Sequence, residues 1–140
     1  MAKPYKLLIV DDSTSVLLAL ADAFASTPYV VTTCNNPLKA YETIENEHID
    51  IVISDIMMPE MDGLTLLRKI KNFNGLTQVI MITGYININN TLNAFRYGAN
   101  DIFFKPIQDT GELIRAVDAA AAKLDRINTI LIQLSKKKRE

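Results

Sequence analysis

Short apolar runs alternate with stretches of helical periodicity along the chain. The first run, Lys6 to Val10, is rich in Leu, Ile and Val and ends abruptly at Asp11-Asp12-Ser13. Apolar residues then recur at the spacing of one helix face from Val16 to Phe24. This order predicts a strand, a turn and a helix.

The same alternation recurs along the chain and predicts five strand and helix units. Apolar strands that alternate with helices form parallel sheets with right-handed crossovers. The chain must return from the carboxyl end of one strand to the opposite end of the sheet before the next strand begins. We therefore expect an α/β fold with helices on both faces of the sheet. The predicted strands are Lys6 to Val10, Tyr29 to Cys34, Ile49 to Ser54, Val79 to Ile82 and Ile102 to Phe104, and the later helices are Leu38 to Glu47, Gly63 to Asn72, Asn90 to Tyr97 and Thr110 to the end.

The last predicted helix is much longer than a helix needed to cover one sheet edge. Its apolar positions alternate steps of four and three, which is the a/d repeat of a coiled coil. We predict a domain over residues 1–122 and a helical extension over 123–140, which pairs with a second copy or leads to an output domain absent from this chain. The alternative is an amphipathic helix that docks on its own domain or frays. The residues assigned to the pairing stripe are Leu124, Ile127, Leu131 and Leu134.

Length and composition limit the domain count and the classes of partner. With 140 residues, 49% of them apolar, the chain suffices for one ordinary domain with a core. A formal net charge of -1 gives no basic field that would attract nucleic acid or an anionic membrane. The single cysteine, Cys34, cannot form an internal disulfide, and no apolar stretch predicts secretion or membrane insertion. We therefore expect a cytoplasmic protein without direct nucleic-acid or membrane contacts.

Polar side chains stand at the ends of the predicted strands. Asp11 and Asp12 follow the first strand, Asp55 the third, Thr83 the fourth and Lys105 the fifth. These side chains should converge, because open parallel sheets bind ligands at the carboxyl ends of their strands. Three carboxylates there would repel by about 4 kcal/mol per pair at about 4 Å and an effective dielectric of about 20. A hard divalent cation would offset this repulsion, and Mg²⁺, with Mn²⁺ as a substitute, suits such a site.

The same cluster can accept a phosphoryl group, because phosphoryl transfer requires in-line positioning and charge stabilisation more than covalent chemistry. We predict that Asp55 is the nucleophile that forms an acyl phosphate. Asp12 would bind Mg²⁺ directly, Asp11 directly or through water, and the backbone carbonyl of Met57 would add a ligand. The side chains that would hydrogen-bond the phosphoryl oxygens are those of Thr83 and Lys105.

These motifs resemble those of the response-regulator receiver domains of two-component signalling. The resemblance covers the chain from about Lys6 to Ala121, and the motifs together are highly specific. They are Val10-Asp11-Asp12-Ser13, the run from Asp55 through Pro59 to Gly63, Thr83-Gly84 and Lys105-Pro106.

The resemblance implies a flavodoxin-like strand order of 2-1-3-4-5 and a cis peptide bond before Pro106. It implies transfer from a sensor histidine kinase or phosphotransfer protein, and output through contact with a downstream protein. It further implies a signalling module that turns over no separate substrate and loses only its own phosphoryl group. Pro59 and Gly63 would shape the loop after Asp55.

The chain departs from the family at one position. Family members usually carry Tyr or Phe three residues before the lysine, and this ring moves inward when the threonine moves toward phosphate. Ile102 has no ring, so we expect a switch carried mainly by the loop and helix from Gly84 to Asn93. In the family, residues at the positions of Met57 and Tyr85 tend to tune the lifetime of the phosphoryl group.

Each motif alone has an ordinary structural explanation, and two other functions compete. Asp11 and Asp12 could only cap the first helix, and Lys105 could be a solvated surface residue. A magnesium-dependent phosphohydrolase of similar topology would carry an Asp-x-Asp pair after the first strand, which this chain lacks. A pseudo-receiver that serves only as an interaction scaffold would not need the polar residues at the strand ends.

Overall fold

The computed structural model describes residues 4–139, in which strands and helices alternate as the hydrophobic pattern predicts. The strands are β1 (Lys6–Val10), β2 (Val30–Cys34), β3 (Ile51–Asp55), β4 (Gln78–Thr83) and β5 (Asp101–Phe104), and the helices are α1 (Thr14–Phe24), α2 (Pro37–Asn46), α3 (Gly63–Phe73), α4 (Ile88–Arg96) and α5 (Thr110–Arg139).

Within the described residues the strands form one parallel sheet in the order β2-β1-β3-β4-β5. In this register Leu8 of β1 lies between Thr32 of β2 and Val52 of β3. The chain first moves from β1 to one edge and then returns through β3 to the other edge. This reversal opens a crevice at the carboxyl ends of β1 and β3. The observed order confirms the predicted flavodoxin-like α/β fold.

Alternate residues of the central strands contribute to two cores, one on each face of the sheet. Leu8 and Val10 lie in a core with residues of α2, α3 and α4, whereas Leu7 and Ile9 lie in a core with residues of α1 and α5. All four side chains are fully buried. Because helices cover both faces, the strand interiors are apolar and polar side chains concentrate at the strand ends.

Polar side chains cap the helices that follow β1 and the β3 loop. Oγ of Ser13 accepts a hydrogen bond from the N–H of Val16 at 3.4 Å, and Oδ1 of Asp62 accepts from the N–H of Thr65 at 2.8 Å. Such caps satisfy N–H groups that lack a partner within the helix. Because Ser13 caps α1, the alternative that Asp11 or Asp12 serves only as this cap is wrong.

Two site residues lie one position further inside the sheet than predicted. Asp55 and Thr83 are the last residues of β3 and β4, where they pair with Ile82 and Phe104 in the ladder. Their backbones are therefore held by strand pairing, while their side chains stand at the sheet edge. This arrangement makes their positions more rigid than those of loop residues.

Helix α5 contacts its own domain further along the chain than the predicted boundary at residues 122 and 123. Leu124, assigned to the pairing stripe, is only 8% exposed and belongs to the core that contains Leu113. The Tyr5 hydroxyl donates a hydrogen bond to Asp125 Oδ1, and Nδ2 of Asn128 donates to the Tyr5 oxygen at 3.5 Å. The assignment of Leu124 to a partner surface is therefore wrong, because the sheet face extends far enough to cover it.

We expect the Tyr5 hydroxyl to stabilise this packing in a pH-dependent way. Burial and the hydrogen bond to Asp125 raise the pKa of Tyr5 to about 12. Folding thus favours the neutral phenol, so its contribution is complete below the unfolded-state pKa of about 10 and is lost as the pH rises toward about 12. Tyr5→Phe should lower the free energy of unfolding by about 1 kcal/mol near neutral pH, and this difference should shrink above about pH 10.

Urea unfolding followed by circular dichroism across this pH range measures the difference. Tyr85→Phe is the matched control, because its ring is exposed, and its free energy of unfolding should stay close to that of the parent. A Tyr5→Phe penalty that stays constant up to the highest pH would contradict the prediction.

Candidate functional site

Three carboxylates meet at the carboxyl ends of the two central strands β1 and β3. Asp11 and Asp12 follow β1, and Asp55 ends the adjacent strand β3. In the described part of the chain, each of the three offers an oxygen atom within 4.8 Å of those of the others. Asp11 and Asp55 are buried, whereas Asp12 is exposed. The structure therefore brings together the acidic residues that the sequence placed at successive strand ends.

Lys105 reaches the same cluster from the residue that follows β5. Its Nζ lies 2.7 Å from Oδ2 of Asp11 and 2.9 Å from Oδ2 of Asp55. The backbone N–H of Lys105 donates to the carbonyl of Thr83 at 2.8 Å, and the next peptide bond, to Pro106, is cis as expected. One ammonium thus bridges carboxylates from two neighbouring strands.

The electrostatics of the cluster leave it short of positive charge. Burial raises the pKa of the Asp11 carboxyl, and the charge of Asp55 acts in the same direction, against Lys105 and the Ser13 N–H. Burial by itself lowers the pKa of the Lys105 ammonium, but hydrogen bonds and charges from Asp11 and Asp55 together outweigh it and raise that pKa. Lys105 therefore remains protonated, and it is the one ammonium in contact with two of the three clustered carboxyl groups.

The donor set suits a hard divalent cation. The cluster supplies closely spaced carboxylate oxygens with excess negative charge, and the exposed side of Asp12 leaves room for water ligands, which Mg²⁺ retains in proteins. The N–H of Met57 donates to Oδ1 of Asp55 at 3.3 Å, so the loop after β3 begins beside this carboxylate. The assignment of the Met57 carbonyl as a metal ligand stays a prediction.

The Thr83 hydroxyl is hydrogen-bonded to the loop that follows β4. Its Oγ1 accepts from the N–H of Tyr85 at 3.1 Å and donates to the carbonyl of Tyr85 at 3.3 Å. Thr83 is buried, whereas Gly84 and Tyr85 are exposed. A movement of this hydroxyl toward Asp55 would break both of its hydrogen bonds to the Tyr85 backbone. The position of the Thr83 hydroxyl and the conformation of the loop after β4 therefore depend on each other.

Ile102 lies in β5, three residues before Lys105, and its side chain is half-buried. It pairs with Met81 in the ladder and packs against the core that contains Met81 and Ala94. Close packing of this kind resists large side-chain rotations. The inner part of this β-branched side chain therefore has little room to change rotamer.

The loop after β3 owes its shape to Gly63. Its N–H donates to the carbonyl of Ile56 at 2.7 Å, and a Cβ at residue 63 would stand 2.0 Å from the backbone carbonyl oxygen of Asp55. No side chain fits at that distance. Pro59, the other predicted loop-shaping residue, is exposed, and its carbonyl accepts from the N–H of Met61 at 2.8 Å. The loop is thereby closed against the backbone of the central aspartate.

Sequence reasoning missed a second support of this loop, formed by Glu60 and Asn36. Glu60 has a φ of 71°, and Nδ2 of Asn36 donates to Oε2 of Glu60 at 3.1 Å. A non-glycine residue in the left-handed region is uncommon and carries no clear sequence signal. Asn36 also caps α2, but its contact across to the β3 loop depends on the tertiary structure.

Comparison with known proteins places these features in a family. The profile of the family described as response regulator receiver domain matches residues 7–118. The regulatory protein AtoC of Escherichia coli K12 is 36% identical over 115 residues, which is 82% of this chain and 25% of AtoC. A protein-glutamate methylesterase/protein-glutamine glutaminase of Oleidesulfovibrio alaskensis is 37% identical over 131 residues, or 87% of this chain and 36% of that protein. The chain thus spans only about a quarter to a third of these relatives.

Solved structures agree with this comparison. The crystal structure of a CheY-like response regulator receiver domain protein from Methanospirillum hungatei superposes with a TM-score of 0.84 at 26% identity, over 89% of this chain and 98% of that one.

Among the residues that the structure describes, no helix has both the length and the apolar character required to cross a membrane.

We expect Gly63→Ala to distort the loop beside Asp55. The added methyl group would meet backbone atoms that cannot move without breaking the β3 ladder, so the free energy of unfolding should fall by about 1–3 kcal/mol. Gly75→Ala is the control, because the nearest atom to its Cβ would be the carbonyl oxygen of Lys71 at 3.8 Å. Urea unfolding of both variants measures the effect, and equal stabilities would refute the steric argument.

Proposed function

The chain belongs to the response regulator receiver domain family, and on that premise we propose that Asp55 accepts a phosphoryl group from a phosphohistidine of a sensor kinase or phosphotransfer protein. A carboxylate oxygen of Asp55 forms a bond to phosphorus as the P–N bond of the donor breaks, and the imidazole leaves with the electron pair. The product is an acyl phosphate at the end of β3.

The observation that carries this proposal is the bridge of Lys105 between Asp11 and Asp55, with Asp12 beside them. The Lys105 ammonium lies 2.9 Å from Oδ2 of Asp55, the carboxylate that would be phosphorylated. It is therefore already positioned to contact phosphoryl oxygens. A scaffold that only bound other proteins would gain nothing from a buried, repulsive set of acids, because burying charges costs free energy. This electrostatic arrangement supports phosphoryl transfer over the pseudo-receiver alternative.

The metal assignments follow from the same cluster. Asp12, Asp11 and Asp55 are the proposed Mg²⁺ ligands, with the Met57 carbonyl as a further oxygen donor. When bound, Mg²⁺ would neutralise charge on the carboxylates and on the transferring phosphoryl group. Lys105 would hold one phosphoryl oxygen, and Thr83 would hold another after it releases Tyr85.

The proposed output is a rearrangement of the loop and helix from Gly84 to Asn93. The reason is the pair of hydrogen bonds between the Thr83 hydroxyl and the backbone of Tyr85, which must break when Thr83 turns toward the phosphoryl group. The side chains of Met57 and Tyr85 are exposed near the cluster, which suits a role in tuning the access of water to the acyl phosphate.

The wider role of the chain is proposed at a coarser level. Its relatives include proteins named as transcriptional regulators and one named as a methylesterase. Those activities belong to whole proteins of which the match covers a fraction. We expect this chain to signal by contact with a downstream protein or output domain and to turn over no separate substrate. The cytoplasmic location stays a prediction.

Incubation with a small phosphodonor and Mg²⁺, followed by intact mass measurement, tests the phosphoacceptor. The parent chain should gain one phosphoryl group, and Asp55→Asn should gain none, because an amide is not a competent nucleophile. Removal of the metal with a chelator should abolish the gain.

Asp62→Asn is the matched control for this experiment. Asp62 is an exposed aspartate on the same loop that caps α3, a role that asparagine also fills. This variant should be phosphorylated like the parent. Persistent phosphorylation of Asp55→Asn, or an unmodified parent, would defeat the proposal.

The switch can be tested by comparing NMR spectra with and without a phosphoryl mimic in the presence of Mg²⁺. The largest backbone shift changes outside the cluster should fall between Gly84 and Asn93. The methyl shifts of Ile102 should report the same rotamer in both states, because the half-buried side chain packs against the core. A rotamer change at Ile102, with unchanged backbone shifts between Gly84 and Asn93, would contradict this prediction. It would show that β5 carries the conformational change instead.

A further inference from the structure

Two loops at the carboxyl edge of the sheet are joined by a hydrogen bond between side chains. Nδ2 of Asn36, which precedes α2, donates to Oε2 of Glu60 in the loop after β3 at 3.1 Å. We call this pair the clip. Strands β2 and β3 lie on either side of β1, so the clip links the loops that flank the end of β1, which Asp11 and Asp12 follow. In the described part of the chain, Glu60 does not belong to the group of clustered carboxylates.

The Asn36 end of the clip is held in a fixed orientation. Its Oδ1 accepts hydrogen bonds from the N–H groups of Leu38 and Lys39 at 2.8 and 3.2 Å, which caps α2. Its carbonyl oxygen accepts from the Cys34 thiol at 3.2 Å. Oδ1 and Nδ2 belong to one planar amide, so the bonds that fix the oxygen also fix the direction in which the nitrogen donates. Asn36 is therefore a well-oriented donor.

The Glu60 end of the clip has a strained backbone. Its φ of 71° lies in the left-handed region, and residues with a Cβ persist there only where their surroundings hold them. Burial does not provide this support, because Glu60 is exposed. Among the described residues, the Glu60 carboxylate makes its one hydrogen bond to Asn36. This bond is thus the side-chain contact that favours the left-handed conformation.

The conformation of Glu60 affects the backbone next to the central aspartate. On its carboxyl-terminal side the chain is anchored, because the N–H of Gly63 donates to the carbonyl of Ile56 at 2.7 Å. A rotation about φ of Glu60 would therefore displace the residues before it. These include Met57, which is exposed and whose N–H donates to Oδ1 of Asp55 at 3.3 Å. The clip thus helps to keep the Met57 backbone beside that carboxylate.

We propose that Asn36 and Glu60 are positioning residues of the Mg²⁺ site, because the clip holds the Met57 backbone beside Asp55. This inference rests on the proposed function, in which the Met57 carbonyl and the Asp55 carboxylate are metal ligands. Neither residue of the clip is a metal ligand itself. Groups that are already held in place lose less conformational freedom on binding, so an intact clip raises the affinity of the site for Mg²⁺.

The charge of Glu60 offers a competing explanation, which predicts the opposite result for one substitution. A carboxylate near the cluster would attract a cation whatever its hydrogen bonds. Asn36→Asp retains an oxygen that caps α2, but it replaces the donor of the clip with a second carboxylate that repels Glu60. Attraction by charge predicts tighter Mg²⁺ binding by this variant, whereas positioning predicts weaker binding.

Addition of MgCl₂ to the unphosphorylated full chain at constant ionic strength, followed through amide shifts in NMR spectra, measures this affinity. Asn36→Asp should raise the Mg²⁺ dissociation constant at least about threefold, the effect expected from loss of one hydrogen bond. Asn35→Asp is the matched control, because Asn35 is the exposed neighbour on the same loop and lies outside the clip. This control adds the same charge and should not raise the dissociation constant.

The double variant Asn36→Asp/Glu60→Gln tests the clip itself. It exchanges the donor and the acceptor, so the introduced amide can donate to the introduced carboxylate, and its net charge equals that of the parent. The dissociation constant should return to within about twofold of the parent value, a recovery that two independent sites would not give. A double variant that binds Mg²⁺ as weakly as Asn36→Asp would overturn the proposal.

Urea unfolding distinguishes positioning from a general loss of structure. Asn36→Asp should unfold near the urea concentration at which the parent unfolds, since aspartate caps a helix as well as asparagine does. Equal Mg²⁺ affinities of Asn36→Asp and the parent would overturn the positioning role and leave the proposed phosphoryl transfer standing. A parent without Mg²⁺-dependent shift changes would instead contradict the metal assignments of the proposed function, and this inference with them.

Discussion

The contact of one ammonium with two buried carboxylates is the interaction on which the site depends. Lys105 lies within 3 Å of both Asp11 and Asp55, and its charge offsets part of the repulsion that three converging acids create. The remaining negative charge costs stability, because burial disfavours ionised carboxylates. This excess of negative charge suits a divalent cation, and under the proposed function the bound cation would offset the charge of the phosphoryl group as well.

The sheet supplies the precision that this contact requires. The nucleophile and the hydroxyl residue end paired strands, and the lysine is bonded through its backbone to the neighbouring strand. Groups held by ladder pairing keep their mutual distances, whereas the loops between them can move. Gly63 completes this support by allowing the β3 loop to close against the backbone of Asp55. The segment after Thr83 is joined to this support through the two hydrogen bonds between the Thr83 hydroxyl and the Tyr85 backbone.

The molecule presents its two candidate interaction regions at opposite edges of the sheet. The acidic cluster lies at the carboxyl edge, and α5 leaves at the amino edge, beside Tyr5. Helix α5 is the element that spans this distance, with its first half in the core and its second half exposed.

Periodicity and strand-end residues were sufficient to predict the element order, the parallel sheet and the convergence of Asp11, Asp12, Asp55 and Lys105. These predictions succeed because side-chain period is a local property, and crossover rules then require a parallel sheet; the strand order itself was implied by the family resemblance. The extent of α5 packing was not predictable, since nothing local distinguishes Leu124, which the sheet covers, from Leu131, which it does not. The bonds of Thr83 to Tyr85 and of Asn36 to Glu60 likewise required the tertiary structure, because they join groups whose proximity depends on how loops close. Local pattern therefore determined which residues are available for chemistry, and long-range packing decided which of them are held, covered or free to move.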